Sequence, residues 1–450
     1  MLSNALPLVI DLPIPPDWSR LGEHLPYEWV EAALVASDKA SIRSRRLPAQ
    51  QVVWLVIALA LYRHRSVKEI VDSLDLALPE LSNRCITSSA TTQARQRLGA
   101  QPLEWLFKSS AQQWIAHDEA NYLFKGLHLL AMDGTTLRLA DSPANREHFG
   151  AQAYPNDKVA SYPQARGVTL MMAETQLIRD ARFGKYDIGE VTHAYSLIES
   201  VPDDSLTVFD RGFLSARLLC NLVSSGKNRH FLIPARNNTK WTLVEGTDED
   251  GIVEMTVSLT ARKSDPNLPM KWRARAVKTP DDGSGKDRYL LTSLTDRKAF
   301  KASDLIACYA RRWRIETSYR ELKHTMLGSE LTLRSMTVEG TDQEIWGAMI
   351  AYNLIRVEIA KAALEAKCEP TNISFTVALM TIQTELMMTG PATAQGKIPA
   401  ILKRLRDRLV LELKVQRPGR KFDRVVKTVA QRYPEKRLTK KATPNKESLT

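Results

Sequence analysis

The stretch DSLTVFDRGFLSARLLCNLVSSG, residues 204–226, carries two periodicities end to end. Its first half is a short apolar run ending at Phe209, the pattern of a buried strand. Asp210 follows at once, and beyond it Leu214, Leu218, Leu219, Leu222 and Val223 fall on the inward side of a helix. A strand feeding a helix predicts a mixed α/β core. An acid at the end of such a strand projects from the sheet edge into a cleft, although a lone one is usually a cap or turn residue.

The same arrangement recurs upstream. GLHLLAMDGTTLRLAD, residues 126–141, has a dense apolar run ending at Asp133, then Gly134 and an alternating segment; it reads as a buried strand turning into a second strand. ARGVTLMMAETQLIRDARFG, residues 165–184, reads as a hairpin-like pair. Between His230 and Leu294 strand follows strand, HFLIPAR, WTLVEG, GIVEMTVSLTA, KWRARAVK and RYLLTSL, with turn clusters between them and no helix signal. Helices resume at Ser303, so this β-rich stretch sits inside the α/β domain.

The first part of the chain looks helical. LPAQQVVWLVIALALYRH suits a buried helix, Ser66 caps the next, and Ser88 or Ser89 starts a third that Gly99 stops. Gln93, Arg95 and Arg97 give that third helix a short polar surface. Such a surface suits a helix-turn-helix-like DNA module, and a small bundle with no DNA role looks the same.

With 450 residues the chain exceeds one compact core, and 44% hydrophobic and 25% charged residues place it among globular proteins. The net charge of +12 is unevenly spread: residues 414–450 hold twelve Lys or Arg against three acids. A basic extension on a nearly balanced body points to a polyanion, most often nucleic acid, or else to a solvated tail. Cys85, Cys220, Cys308 and Cys368 lie far apart, and no HxxxH occurs, so neither a disulfide framework nor a zinc site is expected. The N-terminus is a poor signal peptide, and the longest apolar run, residues 52–62, falls short of the about 20 residues a bilayer needs. An intracellular, reducing setting without a membrane is the expectation.

CYARRWRIETSYRELKHTM, residues 308–326, reads as one helix with a single central acid among many bases. At about 100° per residue, Tyr309, Arg312, Glu316 and Lys323 fall within roughly 60° of one another, beside an apolar stripe of Cys308, Ile315, Tyr319 and Leu322. Taken alone, Glu316 is an i,i+4 partner for Arg312. Together with Asp133 and Asp210 it makes a candidate three-carboxylate cluster, whose charge requires cations. Oxygen-only ligands favour Mg²⁺ or Mn²⁺, and a pair of such ions activates one oxygen and stabilises the other in phosphodiester cleavage.

These residues resemble the DDE transposases of bacterial insertion sequences, in the family-four group that carries the YREK signature. The pattern Y-x2-R-x3-E-x6-K is met in full by Tyr309, Arg312, Glu316 and Lys323. The resemblance extends to MDGT around Asp133, DRGFLS around Asp210, SSATTQARQRLG, and LTLRSMTVEGTDQEIWGAMIAYNLIR, covering about residues 40–430. It implies an RNase H-like catalytic domain interrupted by a β-rich insertion, within an α/β fold with helical N-terminal and C-terminal regions. By the same resemblance Asp133, Asp210 and Glu316 are catalytic and hold two Mg²⁺ ions, with Mn²⁺ able to substitute. Tyr309, Arg312 and Lys323 contact the end DNA, and the insertion helps hold a hairpin intermediate. The implied partners are double-stranded DNA, both terminal inverted repeats and target, and a second copy in a homodimer on paired ends. The implied location is the cytoplasm, at the nucleoid.

The organisation that follows has a helical DNA-binding region at 1–122, the catalytic domain at 123–228 and 301–365, the insertion at 229–300, and a helical region with the basic tail at 366–450. The expected function is cut-and-paste DNA transposition by hydrolysis and transesterification. A structure-specific nuclease or a non-catalytic DNA-binding repressor on the same fold are the competing readings.

Overall fold

The computed structural model describes residues 25–40, 47–73, 87–118, 122–155, 158–280, 287–328, 333–388, 398–411 and 413. The basic tail, residues 414–450, lies outside the described residues.

One large sheet organises the chain. Its strands are Leu127–Arg138 (β1), Gln164–Met172 (β2), Ile178–Lys185 (β3), Ser205–Phe209 (β4), Arg229–Pro234 (β5), Thr242–Gly246 (β6), Asp250–Thr256 (β7), Lys271–Lys278 (β8) and Tyr289–Thr292 (β9). They run in the order β3-β2-β1-β4-β5-β9-β8-β7-β6, and the two-residue strand Leu123–Phe124 pairs with the start of β1. β1, β2 and β3 are antiparallel, whereas β4 and β5 join β1 in parallel. Parallel neighbours need a crossover, and here the helices Glu190–Tyr195 and Ala216–Ser224 lie in the two connections. All five residues of β4 are buried, which explains its unbroken apolar run. Three antiparallel strands followed by two parallel ones is the α/β arrangement expected of an RNase H-like domain. β9 pairs antiparallel with β5, so the β-rich stretch continues the central sheet edge to edge.

Helices cover both faces. Phe183 and Thr169 on one face meet Trp346 and Tyr319, while Gly134 and Gly184 on the other face the Glu190–Tyr195 helix. Within the β-rich stretch a short helix, Leu259–Ser264, starts at Ser258, whose hydroxyl accepts from the Ala261 N–H; no helix was expected there.

Three local expectations change for tertiary reasons. No turn occurs at Gly134: β1 runs straight through it, pairing with β2 from Leu130 to Arg138. A Cβ on Gly134 would lie 2.2 Å from the Glu190 carboxyl carbon, so the glycine admits a neighbour and bends nothing. The helix expected over 308–326 is three pieces: Ala302–Ala310, Trp313–Arg320 and a π-helical turn Glu321–Met326. At the first break, the N–H groups of Arg311 and Arg312 bond carbonyls three residues back, tightening the turn. Arg311 and Arg314 both ion-pair with Glu174, and Glu321 with Arg356, so long-range contacts set the local register.

Arg95 is the third change. It is not presented on a polar surface but is committed to the fold: Nε donates to Gln343 at 3.1 Å and Nη2 to the Gly340 carbonyl at 3.2 Å. These contacts dock the N-terminal helices on the long helix Val338–Glu365. Helix Ala49–Leu61, buried along nearly its whole length, packs on that same helix, where Gly347 admits Val56. Ser66 and Glu69 form the reciprocal cap expected of that start, whereas the cap of Ser88–Leu98 is Thr87, one residue earlier than read. Gly99 stops that helix with φ +72°. Among the described residues no helix is long and apolar enough to cross a membrane.

Candidate active site

Asp133 and Asp210 stand side by side. Met132 is paired with Phe209 in the parallel β1–β4 ladder, so the next residue of each strand is an acid, on strands about 4.8 Å apart. β4 then ends while β1 continues, which opens a gap beside β1. Asp133 Oδ1 accepts from the Gly134 N–H at 2.7 Å, and Asp210 Oδ1 from the Arg211 N–H at 2.6 Å. Asp210 thereby starts the turn Arg211–Phe213, which is pinned by Phe213 against Phe209, ring centroids 6.0 Å apart.

The Trp313–Arg320 helix delivers Glu316 to this edge. Tyr319, one turn beyond Glu316, donates to the Asp133 backbone carbonyl at 2.5 Å and lies 2.8 Å from the Thr169 hydroxyl. Thr169 is the residue opposite Asp133 in the β1–β2 register. Gln176, in the β2–β3 turn, donates to the Ser318 hydroxyl at 2.6 Å and to the Arg314 carbonyl at 2.8 Å. The helix is thus clamped at the level of Asp133.

Arg312 joins two of the three acids. Its Nη2 meets Glu316 Oε1 at 2.7 Å, and Nη1 lies 3.7 Å from Asp133 Oδ2. Its guanidinium also sits 6.0 Å from the Tyr309 ring centroid. Burial raises the Tyr309 phenol to about 12, although Arg312 beside it acts in the opposite sense. Lys323 lies in the π-helical turn, with Nζ 5.8 Å from the Tyr319 ring centroid.

Burial raises the Asp133 carboxyl to about 6; the Gly134 N–H and Arg312 work against the rise, and Asp210 and Glu190 add to it. Among the described residues no three acids, histidines or cysteines stand close enough together to hold a metal ion. The donor chemistry nevertheless fits a hard cation: Asp133, Asp210 and Glu316 offer only carboxylate oxygens, and a guanidinium already bridges two of them. A folded-state value above 3.8 means that ionising Asp133 opposes folding. The cost is absent below about pH 4, grows through the interval and is complete above about pH 6. Asp133→Asn is therefore expected to stabilise the chelator-treated protein at pH 8 by on the order of 2 kcal/mol, with no gain at pH 4, read from thermal melts at both pH values.

Sequence reasoning missed Glu190, which lies over Gly134, and treated Tyr319 as part of an apolar stripe. It also missed Glu174, the partner of Arg311 and Arg314. An acid in a loop and a tyrosine on a buried face carry no local signal of a site. Asp141 pairs with Arg146, Asp203 accepts from the Lys227 N–H and from Arg229, and Asp204 from Asn228; all three serve their turns.

Beside Asp210 a cavity of about 500 Å³ opens between the β-rich stretch and helix Ala302–Ala310. Arg211, Arg236, Trp241, Arg288, Tyr289 and Tyr309 line it. Trp241 and Tyr289 meet edge to face, and Arg236 donates to the Gly212 carbonyl at 3.0 Å, tying the end of β5 to the Asp210 turn. Trp313, next to Arg312, is 62% exposed.

The family model for the insertion element 4 transposase N-terminal region matches residues 15–108, and that for the transposase DDE domain matches residues 125–354. Transposase InsG for insertion sequence element IS4, from Escherichia coli (strain K12), is 35% identical over 420 residues, 92% of this chain and 93% of that protein. Putative transposase InsZ of the same organism is 36% identical over 232 residues, 51% of this chain and 76% of that protein. A solved piggyBac transposase synaptic complex with hairpin DNA aligns over 92% of this chain and 88% of that one, with 12% identity and a TM-score of 0.43.

Proposed function

Because the chain belongs to the insertion element 4 family of DDE transposases, we propose that Asp133, Asp210 and Glu316 are its catalytic carboxylates and hold two Mg²⁺ ions. The protein is a DNA transposase, an enzyme that cuts and joins DNA, and its family uses divalent cations. The observation that carries the assignment is that Asp133 and Asp210 follow paired residues of neighbouring strands while Arg312 links Asp133 to Glu316.

When bound, the ions supply an activated oxygen and stabilise the leaving one. The chain's own residues do the rest. Asp133 and Asp210, fixed by their N–H contacts, define the floor on which the scissile phosphate sits. Tyr319 sets the height of Glu316 above that floor through the Asp133 carbonyl. Arg312 balances the carboxylates and, with Tyr309 and Lys323, holds the end DNA by its phosphates. Tyr319→Phe removes a bond of about 1 kcal/mol that positions the site. Cleavage is expected to fall roughly tenfold with DNA binding unchanged, as measured by nicking rate and gel shift.

The reaction we propose is cut-and-paste: the freed 3′-OH attacks the opposite strand to give a hairpin, which is reopened before the end joins target DNA. The aromatic and arginine lining of the cavity beside Asp210 supports a role for the 229–300 insertion in holding that hairpin. Region 1–122 would read the terminal inverted repeats, within the division 1–122, 123–228, 229–300, 301–365 and 366–450. The protein would act as a homodimer on paired ends, in the cytoplasm at the nucleoid. A strand-transfer assay with the element's terminal repeats, target DNA and Mg²⁺ tests the reading. Joined product is expected; nicks without joining would favour a structure-specific nuclease, and neither product would favour a DNA-binding repressor.

A further inference from the structure

The turn between β2 and β3, residues 173–177, is buried where most such turns are exposed: Thr175 is 4% and Gln176 1% exposed. Gln176 holds the left-handed conformation, φ +62°, which a residue with a Cβ keeps only where its surroundings fix it. The break between helices Ala302–Ala310 and Trp313–Arg320 is tied to this turn. Gln176 donates to the Arg314 carbonyl and the Ser318 hydroxyl, and Glu174 meets Arg311 with one carboxylate oxygen and Arg314 with the other.

Arg311 and Arg312 are consecutive residues at that break, yet their guanidinium groups go opposite ways. Arg311 reaches back to Glu174, while Arg312 reaches forward to Glu316 at 2.7 Å and toward Asp133 at 3.7 Å. At about 100° per residue, Arg314 and Ser318 fall roughly 160° round the helix from Arg312 and Glu316. The turn therefore grips the helix from behind. Tyr319 and Gln176 already hold the body of the helix at the height of Asp133, and what they leave open is the direction of the residues at its start. Among the described residues Glu174 is the carboxylate that Arg311 meets, whereas Arg314 has Glu369 as well, at 3.1 Å. An ion pair to a side chain as exposed as that of Arg311, 39%, adds little to stability in itself. Its consequence is geometric.

Resting on the assignment of Asp133, Asp210 and Glu316 above, we propose that Glu174 is a positioning residue for strand cleavage. By holding Arg311 back, it fixes the turn that sends Arg312 forward between Glu316 and Asp133. Glu174 itself lies behind the helix and acts on the reaction through Arg312 alone.

The test is single-turnover cleavage of a duplex carrying the element's terminal repeat, at saturating protein with Mg²⁺, beside a gel shift in chelator and a thermal melt. Glu174→Gln, nearly isosteric, is expected to cleave about tenfold more slowly, the scale of loss a small misplacement brings, with DNA affinity and melting temperature little changed. Arg311→Gln is expected to lose as much, and the double variant no more than either single one. Arg311→Lys, which keeps the ion pair, should stay near the wild-type rate. In an Arg312→Gln background, itself slow, Glu174→Gln is expected to change nothing further. Wild-type cleavage by Glu174→Gln and Arg311→Gln, or a loss that persists undiminished without Arg312, overturns the proposal. Should Glu174→Gln not fold, equal rates for Arg311→Gln and Arg311→Lys overturn it by themselves. If Arg312→Gln cleaves at the wild-type rate while Glu316→Gln is slow, Glu174 has nothing to act through and the proposal alone fails. If Glu316→Gln also cleaves at the wild-type rate, the carboxylate assignment fails, and the positioning role fails with it.

Discussion

Glu316→Gln is expected to slow strand cleavage and joining by roughly 10³-fold, about 4 kcal/mol of transition-state stabilisation. The substitution keeps the shape of the side chain and its reach toward Arg312, which holds Glu316 at 2.7 Å in the native protein. What it removes is one negative oxygen donor from a site that must neutralise dications. DNA affinity should stay at the wild-type level in a chelating buffer, because the charges that meet phosphate are untouched. Cleavage kinetics beside a gel shift in chelator check both halves. Product formation within about tenfold of wild type would mean that Glu316 serves Arg312 as an ordinary i,i+4 partner and nothing more.

Glu344→Ala is expected to destabilise the protein by about 3–5 kcal/mol, the cost of leaving buried charge uncompensated. Glu344 is 5% exposed and faces two cations from the N-terminal helices: Arg63 at 3.2 Å and Arg95 at 4.0 Å. It also accepts from the Arg334 N–H at 2.9 Å. Burial lowers the basicity of Arg63 and Arg95, and Glu344 opposes that effect at both. Its loss removes the one carboxylate that faces both arginines in the joint between the N-terminal helices and the Val338–Glu365 helix, and takes the acceptor from the Arg334 N–H. A urea melt should show the midpoint falling, and Glu344→Gln, which keeps an acceptor, should cost less. An unchanged midpoint would mean that the joint holds by apolar packing of the Ala49–Leu61 helix alone.

Much of the candidate edge, two neighbouring strands that each run into an aspartate, was legible from the chain because its signals are local. An apolar strand that ends in an acid, twice, requires only a few consecutive residues to be recognised, and so does the spacing from Tyr309 to Lys323. The α/β class follows from the same runs, since strand and helix periodicities alternate along the sequence. Family membership rests on those motifs as well, and the matches over residues 15–108 and 125–354 span the regions that hold them.

What the chain alone did not carry is whatever depends on partners distant in sequence. Tyr319 reads as apolar filling until Thr169, 150 positions away, is seen opposite Asp133. Arg95 reads as surface charge until Gln343, 248 positions away, takes its guanidinium. Gly134 reads as a turn until Glu190 is found lying on it. The 308–326 segment reads as one helix because periodicity is blind to ion pairs with Glu174 and Arg356 that reset its register. The sequence by itself determined most of the strands and helices and singled out Asp133, Asp210 and Glu316 as candidates, through periodicity and residue type. The tertiary structure decided which face each side chain meets, and so placed Arg312 between two carboxylates, Tyr319 beneath them and Glu190 behind.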